Sequence, residues 1–264
     1  MSFLQHLEEL RKHLFRAVLW LVAGVCCVVY FHDFVVNDVI MGPRKPDFVT
    51  YQAFCAWGQK IGLGDALCLA PPTMTLQSTT MAGNMNADIM VCLVGGLIVA
   101  FPFVFWQIWQ FIKPGLHRKE QLKVRGIVLY VSMLFFAGIT FGYFLLAPLS
   151  IQFLGNYTFA DVKAEPTLLS YLKLTTSLVF GTGLLFQLPV LIYFLTKIGL
   201  VTSAFLKKYR KHAFVVNLIL AAILTPPDVT SQIVVAMPLL LLYEISIFIS
   251  ARVEKKALNK AANQ

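Results

Sequence analysis

Residues 213–250 read AFVVNLILAAIL-TPPD-VTSQIVVAMPLLLLYEISIFIS, two apolar runs parted by a Thr-Pro-Pro-Asp turn. The second run reaches the roughly 20 apolar residues a helix needs to cross a bilayer. The first, Ala213 to Leu224, rises only about 18 Å at about 1.5 Å per residue, against a hydrocarbon core of about 30 Å. Pro226 and Pro227 lack amide donors and disfavour helix in the residue before them, so the helix must stop at Thr225. Bilayer thinning or a polar recess must make up the missing length. The fold therefore reads as a membrane bundle closing on a short, unequal hairpin.

Outward from the hairpin the pattern repeats. Spans are expected at about 14–33, 88–112, 124–147, 170–196, 212–225 and 231–250, as one multi-pass domain over 1–264. The external loop 34–87 and a shorter loop at 148–166 are the stretches that are clearly not membrane. Composition agrees: 58% of the 264 residues are hydrophobic and only 13% charged, against about 25% charged in soluble domains. Mean hydropathy is +0.73. The run Leu14–Tyr30 is long for a signal-peptide core, and no small-residue cleavage site follows it, so it reads as an uncleaved first span.

The net charge of +9 alternates between loops instead of forming a nucleic-acid surface. Arg11, Lys12 and Arg16 precede span one. Lys113, Arg118, Lys119, Lys123 and Arg125 follow span two, and Lys197, Lys207, Lys208, Arg210 and Lys211 follow span four. Arg252, Lys255, Lys256 and Lys260 lie in the tail. The other loops are sparse. Basic residues collect on the cytoplasmic side, so both termini are expected in the cytoplasm. Phe3, Leu7, Leu10 and Leu14 form one stripe of an interfacial helix that runs into span one, and Ser2 with Gln5 can form its capping box. Cys26, Cys27 and Cys92 fall in spans. Cys55 and Cys68 fall in the external loop, where a disulfide and two free thiols are both chemically open.

No metal, nucleotide or nucleophile motif is present, and no cofactor is expected. The candidate residues are acids. Glu8, Glu9 and Glu120 stand among basic residues, and carboxylates grip guanidinium groups through paired hydrogen bonds. The bland alternatives are an i,i+4 pair of Glu8 with Lys12 and a solvated Glu120–Lys123 pair. Glu244 lies inside the sixth apolar run. A charge at the bilayer centre costs about 2.5–3.5 kcal/mol on insertion scales, so Glu244 must sit near an end, face a recess, meet a donor or be protonated. Gln187 beside Pro189 is a milder case. Gly138 and Gly142 make a small-xxx-small pair for close helix packing. A solute transporter would show paired broken helices in repeated halves, which spans one to three and four to six do not. An intramembrane enzyme would need a nucleophile and a base at one depth, for which only Glu244 and His212 are loose candidates.

The ordered elements resemble the TatC family, the receptor and core subunit of the twin-arginine protein translocase. They are His6-Leu7-Glu8-Glu9-Leu10-Arg11-Lys12, Pro43, Phe101-Pro102, Trp109 to Leu116 leading to Glu120, Tyr143, Pro148-Leu149, Leu224 to Asp228, Ser231-Gln232, Pro238 and Glu244. The resemblance implies an all-α fold of six helices in a concave, glove-like bundle, with helices five and six short. It implies that Glu9 and Glu120, with Glu8, Arg11 and Phe111, bind signal peptides carrying two consecutive arginines. Pro43, Tyr143, Gln187, Asp228, Gln232 and Glu244 match positions of structural or functional weight. It further implies single-span TatA- and TatB-type partners at spans five and six, several copies per receptor complex, a cytoplasmic (inner) membrane location, export of folded cargo, and transport drawing on the proton-motive force. Some members carry Glu where this chain has Gln187, which cannot titrate, and the Cys-bearing stretch at about 51–80 is additional.

Overall fold

A computed structural model describes residues 3–62, 68, 75–112, 124–159, 162–163, 165–226 and 228–262. It is almost entirely helical. Span one is Phe3–Tyr30 and span two Gly83–Ile112. Span three is Val124–Phe141, carried on by a π-turn at Gly142–Leu146 and by Ala147–Asn156. Span four comprises Leu168–Leu185 and Leu188–Lys197, span five is Arg210–Leu224 and span six Val229–Ala262. Five of these are long and apolar enough to cross a membrane. Span five has 15 residues, about 22 Å of rise, and falls short, as the Thr-Pro-Pro-Asp turn requires.

Several boundaries differ from the sequence expectation. Span one absorbs the interfacial stripe into one 28-residue helix, because nothing between Phe3 and Tyr30 breaks it. Span three continues to Asn156, so much of the expected 148–166 loop is helix; Pro148 sits in the first turn of Ala147–Asn156, where its missing N–H costs nothing. Span six continues past residue 250 to Ala262. The external loop contains a further helix, Val49–Ile61, preceded by turns at His32–Phe34, Val35–Ile40 and Gly42–Arg44. Gln77 of this loop pairs with the segment before span four: its N–H donates to Pro166 O at 3.4 Å and its carbonyl accepts from Leu168 N at 2.9 Å.

Glycines set the closest approaches. A Cβ at Gly24 would collide with Gly96 O, so spans one and two meet backbone to backbone. Gly138 and Gly142 do the same against span four: a Cβ on Gly138 would lie 2.7 Å from Thr182 O, and one on Gly142 would overlap the Thr182 hydroxyl. Thr182 Oγ1 donates to Gly138 O at 3.1 Å across the contact. The π-turn begins at Gly142, where the two backbones crowd.

Span six packs along the second half of span four and against span five. Leu178, Ala221, Val235, Leu239 and Leu242 form the buried cluster there. A second cluster joins Ile40, Ala87, Val91, Ala147, Ile151, Tyr171 and Leu172 at the end of the bundle that carries the 34–87 loop. Large apolar side chains elsewhere remain exposed, as expected when lipid is the solvent.

Candidate functional site

The foot of span one carries Glu8, Glu9 and Arg11 within about one helical turn. Glu8 Oε1 lies 3.2 Å from Lys12 Nζ, with both side chains largely exposed, so Glu8 makes the local i,i+4 pair, worth a few tenths of a kcal/mol. Arg11 is exposed. Glu9 differs: it is half-buried, and its Oε2 is covered and has no hydrogen-bond partner among the described residues. A buried carboxylate oxygen left unpaired costs about 1–3 kcal/mol or more.

The packing of spans one and two explains why Glu9 is covered. Val28 fills the space beside Gly95, Gly24 meets Gly96, Trp20 stacks on Phe103 with centroids 4.5 Å apart, and His13 Nδ1 lies 3.0 Å from Gln107 Oε1. These pairs define one antiparallel register, and continuing it by one turn brings Glu9 level with Phe111. Phe111 is half-buried at the end of span two. The tertiary structure thus brings two of the expected site residues to one place. Glu120 lies outside the described residues. His13 and Gln107 were missed by the sequence reading. The only available hint was a pair of polar residues near the ends of two apolar runs.

At the end of the bundle that carries the 34–87 loop, Pro43 and Tyr143 belong to one hydroxyl network. Tyr143 OH donates to Val39 O at 2.6 Å, Tyr171 OH to Ile40 O at 2.9 Å, and Tyr51 OH to Pro43 O at 2.8 Å. Pro43 is fully buried. Tyr51 and Tyr171 supply donors to carbonyls of the turn between span one and the helix Val49–Ile61, and Tyr143 adds a second donor to Val39 O, which also takes Met41 N–H. Burial pushes the Tyr51 phenol up to about 12. Pro148 cannot donate to Phe144 O, four residues earlier. That carbonyl accepts instead from Thr50 Oγ1 at 2.5 Å. Cys55 and Cys68 are joined as a disulfide, which resolves the alternative left open by the sequence.

Gln187 sits where span four breaks. Its Nε2 donates to Val131 O at 3.2 Å on span three, while its Oε1 is buried without a partner. Asp228 caps span six: Oδ2 accepts from Ser231 N at 2.6 Å. A recess of about 390 Å³ opens beside it, lined by Gln152, Asn156, Thr230 and neighbours. Gln232 Nε2 donates to Leu218 O at 3.3 Å and ties the hairpin together. Glu244 meets a donor, Arg210 Nη2 at 2.6 Å, with both side chains about half exposed. Span five is so short that its first residue stands level with the sixteenth of span six, which brings Arg210 to Glu244. Beyond this point span six holds the connecting segment: Glu254 accepts from Ser203 N at 2.8 Å and from the Ser203 hydroxyl. Asn217, read as part of an apolar run, is buried in span five with an unpartnered Nδ2.

These features can be set beside known proteins. The family model for Sec-independent protein translocase protein (TatC) matches residues 5–238. The chain is 39% identical over 261 residues to the Sec-independent protein translocase protein TatC of Blattabacterium sp. subsp. Periplaneta americana, covering 97% of each. It is 31% identical over 266 residues to the TatCy protein of Bacillus subtilis, covering 99% of this chain and 93% of that one. A crystal structure of the twin arginine translocase receptor TatC in DDM superposes with a TM-score of 0.70 at 29% identity, covering 93% of this chain and 99% of that one. The chain is therefore a member of the TatC family, a multi-pass membrane subunit of the Sec-independent protein translocase.

Proposed function

We propose that this subunit is the receptor for signal peptides bearing two consecutive arginines, with Glu9 and Glu120 each engaging one guanidinium on the cytoplasmic face. The carrying observation is the covered, unpartnered Glu9 Oε2 level with Phe111. An arginine offers a planar fork of donors that a lysine lacks, and each charge-assisted bond is worth about 1.5–3 kcal/mol. Arg11 and Phe111 flank the position, and Glu8 is held by Lys12. A translocase subunit of this family is not an enzyme and works with other subunits.

We further infer that the partners are single-span TatA- and TatB-type subunits lying along spans five and six. Val216, Ile219 and Ile223 on span five and Ile233, Met237 and Leu241 on span six are all more than half exposed, which supports docking of apolar helices there. The proton-motive force drives export of folded cargo. Several copies assemble in the receptor complex. The disulfide supports an oxidising external compartment for the loop after span one, and hence cytoplasmic termini in an inner membrane.

The test is photo-crosslinking of a twin-arginine signal peptide in membranes, with probes beside Glu9 and Glu120 and a twin-lysine peptide as control. Crosslinks that fade with lysine, and export abolished by Glu120→Lys while the protein stays inserted, are expected. Equal crosslinking of both peptides, or normal export by Glu120→Lys, refutes the reading.

A further inference from the structure

The external helix Val49–Ile61 carries an apolar stripe that no other described part of the chain covers. Val49, Trp57 and Ile61 are 64%, 59% and 52% exposed, and Ala53 between them is exposed as well. Spacing of four residues places these side chains along one flank. Thr50, Tyr51 and Gly58 are buried against the bundle, and Gln52 and Gln59 occupy a third, polar flank. Lys60, the helix's single charged residue, falls between Val49 and Ala53 around the helix axis, and its long apolar stem lets the ammonium reach past that flank. A helix standing in water gains nothing from such a stripe.

Depth identifies what the stripe meets. Thr50 Oγ1 is bonded to Phe144 O, and the Phe48 ring stacks on Phe144 with centroids 5.8 Å apart. Phe144 stands about 27 Å along span three from Gly126, at about 1.5 Å per residue. That is close to the far edge of a hydrocarbon core of about 30 Å. The Phe144 side chain is itself 41% exposed, and Phe34, in the turn that follows span one, 59%. The stripe therefore continues a lipid-facing surface at the level where tryptophan is enriched in membrane proteins. At 100° per residue Cys55 projects about opposite to Trp57, so the disulfide to Cys68 fastens the helix from its other side.

We propose that Val49–Ile61 is an interfacial anchor whose Val49–Ala53–Trp57–Ile61 flank lies in the external leaflet. The occupant is the phospholipid surface, which accepts an amphipathic helix with few charges through its apolar area and a tryptophan. This inference needs only the membrane spans and the depth of Phe144, and it stands or falls independently of signal-peptide binding.

The test places a photoreactive benzoylphenylalanine at residue 53 or 57 and, for comparison, at 52 or 59. The full chain is reconstituted in phosphatidylethanolamine–phosphatidylglycerol vesicles with alkyne-tagged acyl chains. Position 241 in span six is the lipid-facing control. Only variants whose Cys55–Cys68 bond forms, read as a gel shift on reduction, are compared. Lipid adducts several-fold stronger at 53 and 57 than at 52 and 59 are expected. Equal labelling of both flanks, absence of labelling at 57 while 241 labels, or adducts at 57 to a second copy of the chain would each overturn the proposal.

Discussion

Replacing Tyr171 with Phe removes one oxygen from a side chain that is 3% exposed. That oxygen donates at 2.9 Å to Ile40 O, itself in a buried residue of the external cluster. Phe fills the same space, so packing is conserved and the loss is the hydrogen bond with its stranded acceptor. A buried acceptor left unpaired costs about 1–3 kcal/mol. For a chain of this size each kcal/mol moves the melting temperature by about 2–4 °C, so Tyr171→Phe lowers it by roughly 2–12 °C. The assay is thermal unfolding in mild detergent beside limited proteolysis of the 31–62 segment, which is released first because the lost bond holds the turn after span one. Tyr157→Phe is the control, since Tyr157 is 58% exposed, and it leaves both readouts unchanged. A Tyr171→Phe midpoint within about 1 °C of the unmodified protein, with no added cleavage, would refute the claim that tyrosine hydroxyls hold the turn.

Other outcomes follow from the same geometry. The Tyr51 phenol is raised from 10.0 to about 12 by burial, so its contribution is whole below pH 10 and is lost as pH climbs to about 12. The loss is on the order of 2–3 kcal/mol, and Tyr51→Phe should flatten the fall in melting temperature over that interval. Asp228→Ala removes the cap on Ser231 N and costs about 0.5–2 kcal/mol. Asp228→Asn should recover most of that loss; thermal unfolding of the two variants shows whether the cap or the charge matters. Arg210→Glu or Glu244→Arg alone should cost no more than about 1 kcal/mol, because the pair is half exposed. The double exchange should restore the midpoint in a mutant cycle.

Five of the six expected spans could be read because lipid forces about 20 apolar residues into each crossing, and the fifth, too short for that rule, is marked instead by the Thr-Pro-Pro-Asp turn that ends it. Gly138 and Gly142 were legible as a contact surface for a related reason, since only small residues admit a neighbouring backbone.

What sequence alone determined, then, was local: which stretches are apolar, where proline stops a helix, and which acids stand among basic residues. Tertiary structure decided which of those acids has a counterpart. Glu8 is satisfied by Lys12 one turn away. Glu244 is satisfied by Arg210, thirty-four residues distant, only because span five is short. Glu9, covered through the register of spans one and two, has no counterpart among the described residues. Tyr143 stood out only through the family resemblance, and Tyr51 and Tyr171 did not stand out at all, yet all three serve carbonyls of the turn after span one. Pairing of buried polar groups is a property of folded proximity, and no spacing along the chain encodes it.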